Sequence, residues 1–263
     1  MTLLGVLFDL FVVVGVLCLV AAVTIVGPQK LRTVRQTYRQ RLRELYPDMT
    51  ILVIILVLNA LVRDATQELS WLVGWNITPL IRQIEGEFIV FVQSFAAPPL
   101  TWYFSRVYVY GYVFLLVFPF IAYAALENRP ELRQLLVAYT LNYGIGLICY
   151  IVFIAYGPRN SLGGAVDSLL YIAYPQYQLL TTEVNVNTNV FPSLHTSLSV
   201  TAAIFAVRTR DVYPLWTPIA VVLAVSVLIS TMYLGIHWLL DVLAGIVLGS
   251  GAVYLARRYT EDS

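Results

Sequence analysis

Charge is scarce in this chain. Asp, Glu, Lys and Arg together make up 12% of its 263 residues, against 59% hydrophobic residues and a mean hydropathy of +0.78. A soluble globule could not keep that much apolar surface out of water, so the composition excludes one and predicts an integral membrane protein. Thiols are equally few, Cys18 and Cys149 being the only two. Both fall inside apolar runs, which favours packing over a disulfide and leaves the redox compartment unread. A single lysine, Lys30, stands beside 15 arginines, a compositional bias that carries no functional reading. Internal repeats, low-complexity tracts and soluble-domain linkers are also missing, and histidine occurs only as His195 and His237.

What the chain has in quantity is long apolar runs. They fall at Leu3 to Val26, Thr50 to Leu61, Val107 to Ala125, Leu135 to Tyr156, Leu194 to Val207, Leu215 to Met232 and Trp238 to Ala256. Most approach the roughly 20 residues that a spanning helix needs. The expected fold is therefore all-α, a polytopic membrane bundle of six to seven spans. The run after Thr50 is short because Arg63 and Asp64 interrupt it, so it either ends early or continues as a polar-flanked helix through Leu72. The first run reads as a retained helix and not a signal peptide: its apolar core is too long, it has no basic leader, and it ends in Gly27, Pro28 and Lys30 without a small-residue cleavage site.

Basic residues orient the spans, since cytoplasmic loops collect Lys and Arg. Lys30, Arg32, Arg35, Arg39, Arg41 and Arg43 crowd what reads as one loop. With that loop inside and alternate crossing, Arg129 and Arg133, Arg208 and Arg210, and Arg257 and Arg258 also fall inside, twelve of the sixteen basic residues in all. The C-terminus is then cytoplasmic, and both histidines face the extracytoplasmic side, in the cell membrane. The basic cluster is a topology determinant and, on a second reading, a contact for anionic headgroups. From Trp75 to Arg106, Arg82, Glu85, Glu87, Pro98 and Pro99 mix with Ile, Phe and Val, which suggests an amphipathic helix in the interface or a simple connection. The expected organisation is 1–106 as N-terminal helices and interfacial segment, 107–258 as catalytic core, and 259–263 as cytoplasmic tail.

The chemistry concentrates at two span starts. Phe191-Pro192-Ser193-Leu194-His195-Thr196 leaves a polar loop with Ser193 as N-cap, and a helix amino end favours an anion. In His237-Trp238-Leu239-Leu240-Asp241, a helical i, i+4 spacing would place carboxylate and imidazole on one face. The carboxylate then fixes the tautomer and leaves the other nitrogen free for attack. A lone membrane histidine is ordinarily a packing residue; two at one face, with a carboxylate in register, read as catalytic. A metal site is the competitor, but further carboxylates near the motifs are limited to Asp167 and Glu183.

These residues resemble the type 2 phosphatidic acid phosphatase superfamily over roughly Val107 to Arg258. Its P-S-x-H motif matches Pro192, Ser193, Leu194 and His195. Its S-R-x5-H-x3-D motif matches Ser230, His237 and Asp241, with Thr231 where the family carries arginine. The K-x6-R-P motif is absent, and Gly157-Pro158-Arg159 is the nearest substitute. Leu194, Thr231 and the Pro-Arg pair look like the branch that holds inositol phosphorylceramide synthases. The resemblance implies a nucleophilic His237 forming a phosphohistidine, oriented by Asp241, with His195 protonating the leaving alkoxide. It implies that Arg159, beside Pro158, holds phosphate oxygens with help from the amides around Ser193 and Leu194. The implied substrate is a lipid phosphate, pyrophosphate or phosphodiester, hydrolysed or passed to an acceptor without metal or other cofactor. Expected partners are that substrate and membrane lipids, with no nucleic acid. Two other classes stay open: a transporter with a His237–Asp241 proton relay, and an inactive lipid-binding scaffold.

Overall fold

The computed structural model describes residues 2–61, 63–126, 130–181 and 187–261. Arg129 and Glu183, which entered the orientation and metal readings, and the last two residues of the tail lie outside them. The first helix, α1 (Leu3–Ala21), starts on a Thr2 side-chain cap, continues as a π-helical turn over Ala22–Val26 and ends at Gly27. Pro28 opens α2 (Pro28–Leu61), 34 residues long. The basic cluster is thus helical and not a loop. Residues 29–46 contain no glycine and are rich in Gln, Arg and Leu, which lose little freedom in a helix. Arg41 reaches from it to the carbonyls of Ala124 and Leu126, 2.7 Å to the latter.

Next come α3 (Arg63–Val73) and a two-residue strand, β1 (Trp75–Asn76). The segment up to Arg106, expected as an amphipathic helix or a simple connection, is three helices: α4 (Thr78–Glu85), α5 (Phe88–Gln93) and α6 (Pro98–Arg106). Gly86 and the Pro98-Pro99 pair break it, Gly86 with φ of +56° ending α4 and the prolines, favoured in a helix's first turn, opening α6. The last piece is continuous with the apolar helix that follows. It runs through a π-turn, Val107–Gly111, into α7 (Tyr112–Ala124), and the span starts at Pro98 instead of Val107.

The remainder is α8 (Glu131–Val152), β2 (Phe153–Ile154) parallel to β1, three short helices α9 (Pro158–Ser161), α10 (Leu169–Ala173) and α11 (Gln176–Thr181), then α12 (Leu194–Arg208), α13 (Trp216–Tyr233) and α14 (Leu239–Glu261). Among the described residues six helices are long and apolar enough to cross a membrane: Leu3–Val26, Tyr38–Leu61, Pro98–Ala124, Glu131–Val152, Trp216–Tyr233 and Leu239–Glu261. Leu194–Arg208 is apolar but shorter. The expected all-α membrane bundle is the fold.

At its centre α12 packs against α8, α13 and α14. Lipid tails are as apolar as leucine, so such helices associate through close packing and hydrogen bonds. Gly245 and Gly249 on α14 allow this: a Cβ there would lie 2.6 Å from the Ser193 carbonyl oxygen and 2.3 Å from that of Ser197. Asn142 of α8 donates to Thr201 of α12 at 3.1 Å. At the far end from the histidines, Asp48 accepts from Arg133 at 3.0 Å and Gln134 joins Arg208 to Thr260.

Candidate active site

The helices that open at one end of the bundle bring the two histidine motifs together. Ser193 caps α12, its Oγ accepting from the Thr196 amide at 3.3 Å, and the Phe191–Pro192 peptide before it is cis. The Ser193 amide donates to the Asp241 carbonyl at 3.0 Å, which ties the start of α12 to the first turn of α14. That amide is therefore committed to the protein, and the expectation that it holds phosphate is corrected. Leu194 packs onto α8, with Gly146 leaving room for its side chain.

His237 is not on a helix. It lies in the loop between α13 and α14, two residues before the first turn, and is 4% exposed. The i, i+4 pairing with Asp241 forms all the same, but by a different route. Asp241 sits in the first turn of α14 and reaches back, its Oδ2 accepting from the Trp238 amide at 2.8 Å and lying 3.3 Å from His237 Nδ1. This is half of a capping box, in which a third-position acid takes the amide of the cap residue. The His237 amide and that of Ile236 both donate to the Thr231 carbonyl, at 3.1 and 2.9 Å. Thr231 turns its hydroxyl to Leu228 of its own helix, so the residue in the arginine's place shapes the loop and supplies no charge.

Burial pushes the His237 imidazole well below its ordinary pKa; the Val190 carbonyl at the ring opposes that shift, and the nearby Arg159 guanidinium adds to it. A neutral, oriented imidazole results, which is the state a nucleophile requires.

His195 stands 5.8 Å from His237 between ring centroids. Tyr108 stacks on it at 4.8 Å and Tyr112 packs at 4.6 Å, both presented by the π-turn region of the third span. No hydrogen bond to its ring nitrogens occurs among the described residues, so its edge is free for a ligand.

Arg159 comes from α9, which Pro158 opens. Its amide donates to the Gly235 carbonyl at 3.2 Å, docking α9 on the loop that carries His237. Gly235 has φ of +72°, and a Cβ would strike Val166 at 2.8 Å, so this turn requires glycine. Arg159 Nη2 donates to the Tyr171 hydroxyl at 3.3 Å and the guanidinium lies 4.8 Å over that ring, while Nη1 is buried with no partner. A buried unpaired guanidinium nitrogen costs free energy unless an anion completes it. Among the described residues no three His, Cys, Asp or Glu side chains gather as metal ligands.

The sequence reading missed four contributors. Tyr108 and Tyr112 are aromatics at helical spacing in an apolar span, a pattern ordinarily read as packing. Tyr171 lay in a loop with no recognisable signal. Glu85 was noted only as an interfacial charge. Its carboxylate accepts from the Leu239 amide at 2.9 Å and from the Leu240 amide, capping α14 from outside. Burial raises its pKa, with the two amide bonds pulling the other way.

Two facing histidines, a buried carboxylate on one of them and a guanidinium with one unpaired nitrogen are the groups that phosphoryl transfer uses. Residues 82–255 match the sequence profile of the PAP2 superfamily, and the chain belongs to it. Members are phosphatases or phosphotransferases. An uncharacterized protein of Methanocaldococcus jannaschii is 30% identical over 166 residues, which cover 62% of this chain and 63% of that protein. The chain thus spans a little under two thirds of that relative's length. No solved structure matches.

Proposed function

We propose that the protein is an integral membrane phosphatase or phosphotransferase that acts on a lipid phosphate, pyrophosphate or phosphodiester through a phosphohistidine on His237. The observation that carries this is the facing pair of histidines, one bonded to Asp241 and the other free at its edge, beside the unpaired Arg159 Nη1. Asp241 keeps the proton on Nδ1, so Nε2 attacks phosphorus. As the new N–P bond forms, the P–O bond to the leaving group breaks and His195 delivers a proton to that oxygen. The phosphate anion, seated between the rings, is the counter-charge an imidazolium at His195 needs. Arg159 neutralises charge that develops on the equatorial oxygens, the main demand of phosphoryl transfer. In the second half His195 takes a proton from water or an acceptor hydroxyl, whose oxygen attacks phosphorus as the N–P bond breaks. No metal or other cofactor enters these steps.

Leu194, Thr231 and the Pro158-Arg159 pair favour a second reading within the family, transfer of a headgroup phosphate of the inositol phosphate type to another lipid. A site that faces away from the cytoplasm, with a cytoplasmic C-terminus in the cell membrane, fits the basic residues gathered at the opposite end.

The test is turnover of a panel of lipid phosphates, pyrophosphates and phosphodiesters in mixed micelles, with and without EDTA, beside His237→Ala. EDTA-resistant release that vanishes in the variant, with acid-labile label trapped on the wild type, is the expected result. Turnover that survives in His237→Ala sinks the nucleophile. Product identity with water against a lipid or polyol acceptor separates phosphatase from transferase.

A further inference from the structure

The side chain of Arg106, the last residue of α6, has three aromatic neighbours and, among the described residues, no hydrogen-bond partner. Its Cζ lies 5.1 Å from the Trp102 ring centroid, 5.7 Å from that of Tyr174 and 6.0 Å from that of Tyr110. Stacking satisfies the faces of a guanidinium and leaves its five in-plane N–H donors pointing outward. Among the described residues nothing accepts from them and no carboxylate pairs with the group.

The same residue lines a groove of about 550 Å³ between α1, the third span and α11. Both long helices start at the site end, so the groove has a sequence of depths. Trp102, Arg106 and Tyr174 stand at its head; Val13, Leu17 and Gly111 continue it along the apolar spans. Trp102 is 53% exposed and Leu17 40%, so the groove opens sideways, towards lipid. Its one carboxylate, Asp9, accepts the Tyr110 hydroxyl, itself 2.9 Å from that of Tyr177, and is engaged about a turn below Arg106. The π-turn Val107–Gly111 separates this surface from the catalytic one, giving Tyr110 and Gly111 to the groove and Tyr108 to His195. Such turns concentrate at functional positions.

We propose that this groove binds an anionic membrane phospholipid, its phosphate on the in-plane donors of Arg106 and an acyl chain along Val13, Leu17 and Gly111. A zwitterionic headgroup would bring its ammonium against the guanidinium, whereas an anionic one would not. The site shares no residue with the catalytic cluster, and the proposal does not depend on the reaction assigned to it.

The test uses the full chain in phosphatidylcholine vesicles, with dibrominated phosphatidylglycerol or dibrominated phosphatidylcholine as the quenching probe. Trp102 fluorescence is isolated by difference against Trp102→Phe. The expected result is apparent binding of the glycerol lipid at least about fivefold tighter, the increment for one basic residue at a membrane surface. Arg106→Gln should erase the preference, Arg106→Lys should keep part of it, and His237→Ala should leave it intact. Tyr174→Leu, which removes a bracing ring without touching charge, should reduce it and serves if Arg106→Gln does not fold. Equal quenching by both probes overturns the proposal, as does a preference unchanged in the Arg106 and Tyr174 variants. Loss of the preference in His237→Ala overturns it too, by placing the lipid in the catalytic cluster.

Discussion

The two histidines lie 5.8 Å apart between ring centroids and differ in nearly everything around them. His237 lies in a loop, its amide tied to Thr231 and its ring to Asp241. His195 is in the first turn of a helix, held on its faces by Tyr108 and Tyr112 with its edge unbonded. The contrast fits two tasks. A nucleophile needs one tautomer and one direction, which hydrogen bonds impose. An acid and base must trade protons with the substrate, so it is better positioned through its ring faces, which leave both nitrogens free.

The largest effect that would break this comparison is at His237. Replacement by alanine should lower kcat by about ten thousandfold or more and abolish the trapped phosphoenzyme, since removal of a covalent nucleophile typically costs that much. If His195→Ala erases the phosphoenzyme while His237→Ala keeps it, the roles are exchanged.

His195→Gln should cost about a hundred to ten thousandfold on a lipid alkoxide leaving group, the range for general acid catalysis. On a p-nitrophenyl phosphate, whose leaving group needs no proton, the loss should shrink to a small factor. An equal loss on both substrates would make His195 a binding residue instead.

Arg159→Gln should slow turnover about a hundredfold, as for removal of one transition-state donor. It carries a second signature in pH. Burial and Arg159 both hold the His237 imidazole below its ordinary value, so the wild-type acid limb of kcat/KM should lie below about pH 6.5. Removing the neighbouring cation makes protonation easier, so that limb should move to higher pH. A limb that stays put would mean that the guanidinium does not sense His237. The same depressed value makes the native protein bind fewer protons than the unfolded chain, and stability should decline as pH falls below about 6.5.

Glu85→Gln is expected to be milder, since glutamine still accepts one amide bond. Loss of the anion at the start of α14 should lower kcat several-fold with KM nearly unchanged and cost about 1 kcal/mol of stability, the usual value of an end cap. Thermal unfolding measured beside the kinetics separates the two. A KM effect with unaltered kcat would place Glu85 against substrate instead of against the helix.

Much of this was legible in the residues. Apolar runs predict the spans because a bilayer demands continuous apolar helix whatever the fold around it. Ser193 announced the start of α12, and the rarity of histidine drew attention to the residues that meet. The boundaries were less legible. The basic cluster reads as a loop when charge is taken as a sign of exposure, yet nothing in its local sequence stops a helix, and α2 passes through it. The third span begins at Pro98 because two prolines suit a first turn, although the surrounding polarity suggested an interface.

Apart from Arg159, which the family resemblance implied, the sequence by itself determined the membrane class, the approximate position of the spans, and the identity of His195, His237 and Asp241 as the groups to watch. These follow from local composition and from short spacing, which survive in any packing. Only the tertiary structure decided that His237 is held in a loop, that Asp241 reaches it as a helix cap, that Glu85 closes the same helix from 154 residues away, and that tyrosines of the third span clamp His195. Those contacts join segments far apart in the chain, and their energies depend on directions and distances that no local pattern encodes.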